Sequence, residues 1–315
     1  MSILGIDLGG TKLATALFSE SGTLLSKDVI ALDHRTGAEV GKLITEQVKK
    51  YRVSEGSSLQ AIGVSVPGIS HRKTGTIWAP NIPGWEDYPL LQEIKQISGD
   101  VPVSIDSDRA CCMLGEIWQG NARGCKDAIY LAVGTGIGAG ILIDGNILRG
   151  SHDIAGAVGW MALDKPFQKK YIACGCFEYY ASGEGIAKLT REILAADLTY
   201  KGTLKNYAPE KITAHHVFAA FEDNDPVAVQ VFGECIEYWG MAVANLISIF
   251  NPEKIIFGGG VFGPAVKFIK PIQEEAAKWA QPISISQVSF EQSGLHGDAA
   301  IYGAGFLALK KISHT

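Results

Sequence analysis

Ile6-Asp7-Leu8-Gly9-Gly10-Thr11-Lys12 decides the fold. Apolar and small residues alternate up to Leu8, break at Gly9-Gly10, resume from Thr11 to Phe18 and turn at Ser21-Gly22 before Thr23-Leu24-Leu25. That pattern is a β-meander with a glycine corner. The same plan returns as Ile129-Tyr130-Leu131-Ala132-Val133, then Gly134-Thr135-Gly136-Ile137-Gly138, a run from Ala139 to Ile143 and a turn at Asp144-Gly145. An offset of about 125 residues lays Leu8-Gly9 on Val133-Gly134 and Phe18 on Ile143, the trace of an internal duplication. Two like domains follow.

Between the repeats, Val40, Leu43, Ile44, Val48 and Tyr51 recur at helical spacing, and Ala61 to Val66 forms a buried strand closed by Pro67-Gly68. Leu90, Leu91, Ile94 and Ile97 give a short helix, Val101 to Ile105 a strand, and Ser107 to Trp118 a helix that opens on polar capping residues. Further on, Asp225-Pro226 starts a long helix that ends at Asn251-Pro252, and Lys254 to Phe257 is a strand running into Gly258-Gly259-Gly260. A last helix from about Asp298 is expected to pack back on the first domain. The predicted division is residues 1–118 with 298–315 as a smaller domain and 119–297 as a larger one. Strands alternating with helices imply an α/β class, in which ligands gather beyond the carboxyl ends of the strands.

Composition narrows the partners. The 315 residues are 47% apolar with a mean hydropathy of +0.13, enough for two cores. Charged residues are 19% and the net charge is -5, so no basic surface answers a nucleic-acid backbone. Ala128 to Ile143, the longest uncharged run, is too short to span a bilayer, and no basic, apolar leader precedes Ile3-Leu4. Six cysteines lack the spread of a disulfide framework. A cytoplasmic protein with no membrane or nucleic-acid partner is expected.

Several residues carry chemistry. Asp7 puts a carboxylate at a strand end beside Gly9 and Gly10, whose missing side chains let backbone N–H groups approach an anion. This suits phosphate plus magnesium, or else a plain hairpin corner with an incidental Asp. Gly134 to Gly138 can wrap phosphate with the Thr135 hydroxyl as donor, or be a twisted hairpin; a strand follows it, which excludes a Rossmann fingerprint or a P-loop. Gly258-Gly259-Gly260 either exposes backbone to adenine or caps a strand sharply. Asp108 falls in the first turn of its helix, as a base near an ATP phosphate or as a helix cap.

Together these stretches resemble the ROK family of bacterial sugar kinases, repressors and uncharacterised open reading frames. Asp7 to Lys12, Gly134 to Gly138, Asn251-Pro252-Glu253 through Gly260 and Ala79-Pro80-Asn81-Ile82-Pro83-Gly84-Trp85 match that family's landmarks along nearly the entire chain. The resemblance implies an actin-like ATPase (ribonuclease H-like) fold with two similar domains around a cleft. It implies an ATP-dependent kinase that phosphorylates a monosaccharide hydroxyl, with glucose at O6 as the default, and usually a homodimer. Asp108 would be the base. Gly68, Asn81, Ser107, Asp108 and Glu178 would line the sugar. Gly9, Gly10, Thr11, Lys12, Thr135, Gly136, Gly258, Gly259 and Gly260 would surround ATP, and Asp7 would hold Mg2+ through water.

The chain departs from the family in one region. Gly156-Ala157-Val158-Gly159-Trp160 stands where the family has Gly-Glu-x-Gly-His, and Ser107 stands where Asn precedes the catalytic Asp. Three of four zinc-ligand positions before Cys176 hold other residues, so no zinc is expected. Trp160 either stacks on a sugar's apolar face or fills the volume left by zinc, and substrate choice has moved. His215, His216 and His296 are expected at the surface or in packing. The competing readings are a sugar-sensing regulator, which needs a DNA-reading domain ahead of Gly5, and a non-sugar actin-like ATPase, which leaves Asn81, Asp108 and Glu178 without a purpose.

Overall fold

The computed structural model describes residues 1–312, so residues 313–315 of the expected C-terminal segment lie outside the described residues. In the first half, strands β1 (Ser2–Leu8), β2 (Lys12–Ser19), β3 (Leu24–Ala31), β4 (Leu59–Val66) and β7 (Val103–Ser107) form a sheet in the order β3-β2-β1-β4-β7. Helices α1 (Gly37–Glu55) and α2 (Leu90–Ser98) and a ribbon of β5 (Ile69–His71) and β6 (Thr76–Trp78) complete this lobe. Helix α3 (Asp108–Gln119) leads out of it.

The second half repeats the arrangement. Strands β8 (Ala128–Val133), β9 (Ile137–Ile143), β10 (Asn146–Ile147), β11 (Lys254–Gly258) and β12 (Ser289–Gln292) run in the order β10-β9-β8-β11-β12. In both sheets the first three strands of the order pair antiparallel and the remaining two pairings are parallel. The hairpins close on Leu8 with Leu13 and on Val133 with Ile137. Helices α4 (Cys176–Ala181), α5 (Gly183–Ala196), α6 (Ala214–Glu222), α7 (Pro226–Phe250), α8 (Ile269–Ala276) and α9 (Pro282–Ile285) belong to this half, and α10 (Ala299–Ile312) ends the described chain. Among the described residues, no helix is long and apolar enough to cross a membrane.

Local chemistry sets the long elements. Asp225 caps α7 by accepting from the Val227 and Ala228 amides at 3.0 and 3.2 Å, Pro226 occupies the first turn, and Asn251 ends the helix in the left-handed region. Its buried face of Val231, Phe232, Cys235, Trp239 and Leu246 joins Ile255 and Phe257 of β11 in the larger core. The smaller core gathers Leu4, Ile6, Val40, Ile44, Val64 and Trp85. Strand β7 lies two residues beyond the expected Val101–Ile105, because the Pro102 carbonyl accepts from Ile62 at 2.9 Å and the ladder then continues to Val66 with Ser107.

Helix α10 is held at backbone distance by glycines. A Cβ at Gly63 of β4 would stand 1.8 Å from the Ala304 carbonyl oxygen, one at Gly5 of β1 2.9 Å from that of Ile301, and one at Gly115 of α3 2.2 Å from that of Ala299. From the other side, a Cβ at Gly303 would stand 1.7 Å from the Cys111 carbonyl oxygen. Backbone cannot yield as a side chain end can, so a methyl group here forces the helices apart. Gly303→Ala is therefore expected to cost about 3 kcal/mol in urea unfolding. Gly233→Ala, on an exposed face of α7 with nothing within 4 Å, is expected to gain about 0.5–1 kcal/mol. Equal, small effects of the two would show that the close approach carries no strain.

Candidate active site

The first corner lies at the carboxyl end of β1. Gly9 donates to the Lys12 carbonyl at 2.9 Å, leaving Gly10, Thr11 and Lys12 exposed at the tip. A turn from Ala79 to Trp85 faces it. Trp85 anchors that turn from the core, donating through Nε1 to the Gly37 carbonyl at 3.0 Å and stacking on Tyr88 at 4.5 Å. The exposed Asn81 amide nitrogen thereby comes within 3.3 Å of the place a Cβ on Gly10 would take. Gly68 follows β4 at φ +82, where a Cβ would strike the Trp78 carbonyl oxygen at 2.1 Å, so only glycine lets the ribbon fold back so closely.

The second corner is built from three directions. Gly134 donates to the Gly136 carbonyl at 2.9 Å and accepts from Gly183, at the start of α5, at 2.7 Å. Glu178 of α4 reaches the same corner, where its Oε2 accepts from the Ile137 amide at 2.7 Å. Gly136 and Gly159 both make room for that carboxylate: a Cβ at either would stand 2.6 or 3.0 Å from Oε2. Thr135 remains exposed at the tip. Burial raises the Glu178 carboxyl above its ordinary range, while the Ile137 amide and then Lys188 pull it back. Trp160 sits in the adjoining turn with 58% of its surface exposed, so its ring fills no buried volume. The buried Tyr171, bonded to Asp164 and Tyr180 at 2.9 Å each, packs the segment before Cys174 instead.

Beside this corner opens a cavity of about 310 Å³. Gly134, Thr135, Gly183, Glu184, His215 and Gly260 are among the residues that line it. Its size fits a small-molecule cofactor or substrate. Gly258 and Gly259 are placed differently from Gly260. A Cβ at Gly258 would meet the Tyr130 hydroxyl at 1.9 Å and one at Gly259 the Val133 carbonyl oxygen at 2.4 Å, so both let β11 close on β8. With Gly260 they line a second cavity, of about 320 Å³, which also takes in Cys112 and His296. Sequence reasoning set His215 and His296 aside as surface or packing residues, and the structure puts both in cavity walls. It missed Gly183 and Glu184 as well; the signal available was Ser182 capping a glycine-led helix, its Oγ accepting from Gly185 at 2.9 Å.

Asp108 joins the two corners. Ser107 caps α3, its Oγ accepting from Ala110 at 3.4 Å, and Asp108 Oδ1 accepts from the Arg109 amide at 2.8 Å. Burial pushes the Asp108 carboxyl above its ordinary value, and the Arg109 guanidinium opposes this. The positive end of α3 favours the ionised form, and desolvation outweighs it. Asp7 is pushed up to about 6, mainly by burial; the nearby Ser65 hydroxyl opposes this, and the neighbouring Asp108 charge adds to it. On its other side, the first turn of α3 lies against β9: a Cβ at Gly138 would stand 2.7 Å from Arg109 Cδ, and one at Gly140 2.2 Å from its carbonyl oxygen. Asp7, Asp108, Gly10 and Asn81 form one group and Gly134 to Gly136, Glu178 and Gly260 another, with α3 between them. Among the described residues, no cluster of three or more His, Cys, Asp or Glu side chains is placed to hold a metal.

A family model described as ROK family matches residues 3–311. The chain is 33% identical over 315 residues to a glucokinase of Halalkalibacterium halodurans, covering 96% of this chain and 94% of that protein. It superposes on the ROK hexokinase of Thermus thermophilus with a TM-score of 0.80 at 27% identity over the whole of both chains. It also superposes on a ROK family glucokinase of Streptomyces griseus, solved with glucose and AMPPNP, with a TM-score of 0.78 at 28% identity over 98% of this chain and 100% of that one. With the paired sheets, the two glycine corners and a match running the length of the chain, the protein belongs to the ROK family and has the actin-like ATPase fold, two similar domains around a cleft.

Proposed function

We propose that the protein transfers the γ-phosphate of ATP to a hydroxyl of a monosaccharide, with Asp108 as the base. The observation that carries this reading is the position of Asp108: a half-buried carboxyl at the head of a helix whose first turn adjoins Asp7 on one side and β9 on the other. As an ATP-dependent sugar kinase it has a relative in the glucokinase of H. halodurans and a structural counterpart in the S. griseus enzyme that binds glucose and AMPPNP.

The residues divide the work. Gly134, Thr135, Gly260 and the 310 Å³ cavity receive the nucleotide, and Gly9 to Lys12 approach its phosphates from the opposite lobe. Asn81, Ser107, Glu178 and Gly68 position the sugar, and the exposed Trp160 ring offers it an apolar face. Asp108 takes the hydroxyl proton as the new O–P bond forms and the bond from the γ-phosphorus to the bridging oxygen breaks, with ADP leaving on that electron pair. The two carboxyls of Asp7 and Asp108, each raised by burial, make a site that a cation suits. Asp7 would hold Mg2+ there through water, and when bound the ion supplies neutralisation of phosphate charge. Residues 1–118 with α10 then close as one body on 119–297, excluding water that would otherwise compete for the phosphoryl group.

A coupled ADP-release assay over a panel of monosaccharides tests the reading: ATP turnover should require a sugar. Equal turnover without sugar, or tight sugar binding with no turnover, would overturn it. Asp108→Asn is expected to lower kcat by about 10³-fold while calorimetry finds binding of a non-hydrolysable ATP analogue within about threefold of the parent. The base must be ionised, and its carboxyl is raised, so protonation removes activity as pH falls. The free-enzyme profile of kcat/KM should therefore decline at a pH above the ordinary carboxylate value of about 4, and Asp7, pushed up to about 6, protonates within the same acid range. A profile flat to about pH 4.5 would contradict the assignment.

A further inference from the structure

Arg109 follows the base directly, and among the described residues it is a charged side chain with buried atoms that lack a hydrogen-bond partner. Its Nε and Nη2 are fully buried and neither has a hydrogen-bond acceptor. Asp108 offsets its charge without a hydrogen bond to these two nitrogens, and the other acids around it are engaged elsewhere. Asp106 accepts from Arg149 Nε at 2.9 Å and from the Ser107 amide at 2.8 Å, and Asp153 accepts from the side chain and amide of Arg72 at 2.7 and 3.1 Å. Glu178 Oε2 is held by Ile137, and Asp108 Oδ1 accepts from the backbone of Arg109 itself.

The aliphatic stem of Arg109 lies in the space that Gly138 leaves open, and the Gly156 carbonyl oxygen is 3.8 Å from the point where a Cβ on Gly138 would stand. The stem is thus carried between the base helix and Gly156, and Arg109 shares a small cavity there with Ser107, Arg149 and Asp153. Buried polar groups are almost always partnered, and a charged donor left alone in a folded protein calls for an explanation. Guanidinium has only donors, never deprotonates, and matches a carboxylate with two parallel hydrogen bonds. Sugar hydroxyls satisfy its N–H groups only one at a time.

We propose that Arg109 sets the substrate class, and that the sugar it selects carries a carboxylate on a carbon other than the one bearing the acceptor hydroxyl. This rests on the kinase reading above and keeps its bond changes: the carboxylate is bound, and the hydroxyl is phosphorylated. A neutral hexose lacks the group that would pair Arg109, so a cation buried beside the reacting centre discriminates against it.

The test measures kcat/KM for gluconate, glucuronate and N-acetylmuramate against glucose and N-acetylglucosamine, with the parent enzyme, Arg109→Gln and Arg109→Lys, each checked for folding by circular dichroism. The parent should favour at least one acid by about 100-fold, and Arg109→Gln should erase most of that ratio, chiefly through KM, with Arg109→Lys restoring part of it. A parent enzyme that favours neutral sugars, or an Arg109→Gln variant that lowers kcat alike for every sugar, would overturn the proposal and move Arg109 to the transferring phosphate. If no sugar is phosphorylated, the kinase reading fails by itself, and calorimetry with the same acids then decides for Arg109. Saturable binding that Arg109→Gln abolishes upholds its role, and no binding refutes it.

Discussion

The approach of two helix backbones to each other, with glycine on both, is the constraint on which the site depends. Gly303 of α10 meets the Cys111 carbonyl and Gly115 of α3 meets that of Ala299, while Gly5 and Gly63 let the same helix lie on β1 and β4. These contacts are van der Waals contacts of main chain, stiff because no rotamer can absorb a displacement. Asp108 heads α3, so its position relative to Asp7 is set by that seam and by the N-cap at Ser107.

Electrostatics completes what packing begins. Burial raises the cost of ionising both Asp7 and Asp108, and the charge of Asp108 adds to the cost for Asp7. Lys12 offsets the charge of Asp7, and the Arg109 guanidinium with the Arg109 and Asp108 amides offsets that of Asp108. Negative groups beside oriented donors are an arrangement for moving a proton where phosphate charge is being redistributed.

Much of this was legible in the residues. The two glycine corners, the duplication and the Asp225-Pro226 to Asn251 helix announce themselves by turn chemistry and period, and the structure repeats them with the same strand order in each half. Helices α4 to α6 were not foreseen, because α4 has only six residues and the stretch between Gly150 and Thr213 is broken by turns that blur any helical period. Strand β12 escaped because Ser289–Gln292 is half-buried throughout and carries a single aromatic residue. At the site, position offered Asp7 and Asp108 only as candidates, beside a hairpin corner and a helix cap, and their expected roles came from the family resemblance. The wall formed by Gly183, Glu184 and His215 had only the Ser182 cap as a signal, since it assembles when α5 and α6 pack on the corner that follows β8. Arg109 carried no local signal either, because a missing partner is a property of the folded neighbourhood.

The seam also governs how the chain reaches this state. Phe18, Ala61 and Trp118 in the first lobe are covered by Ile301, Ala308 and their neighbours, from the far end of the sequence. During synthesis that apolar face of β1, β2 and β4 stays open to solvent until the last helix has emerged, and closing so long a loop makes the contact slow to form. The amino-terminal lobe is thus made first and finished last, and in the interval it presents a sticky surface that a chaperone, or another nascent copy, would meet before α10 does.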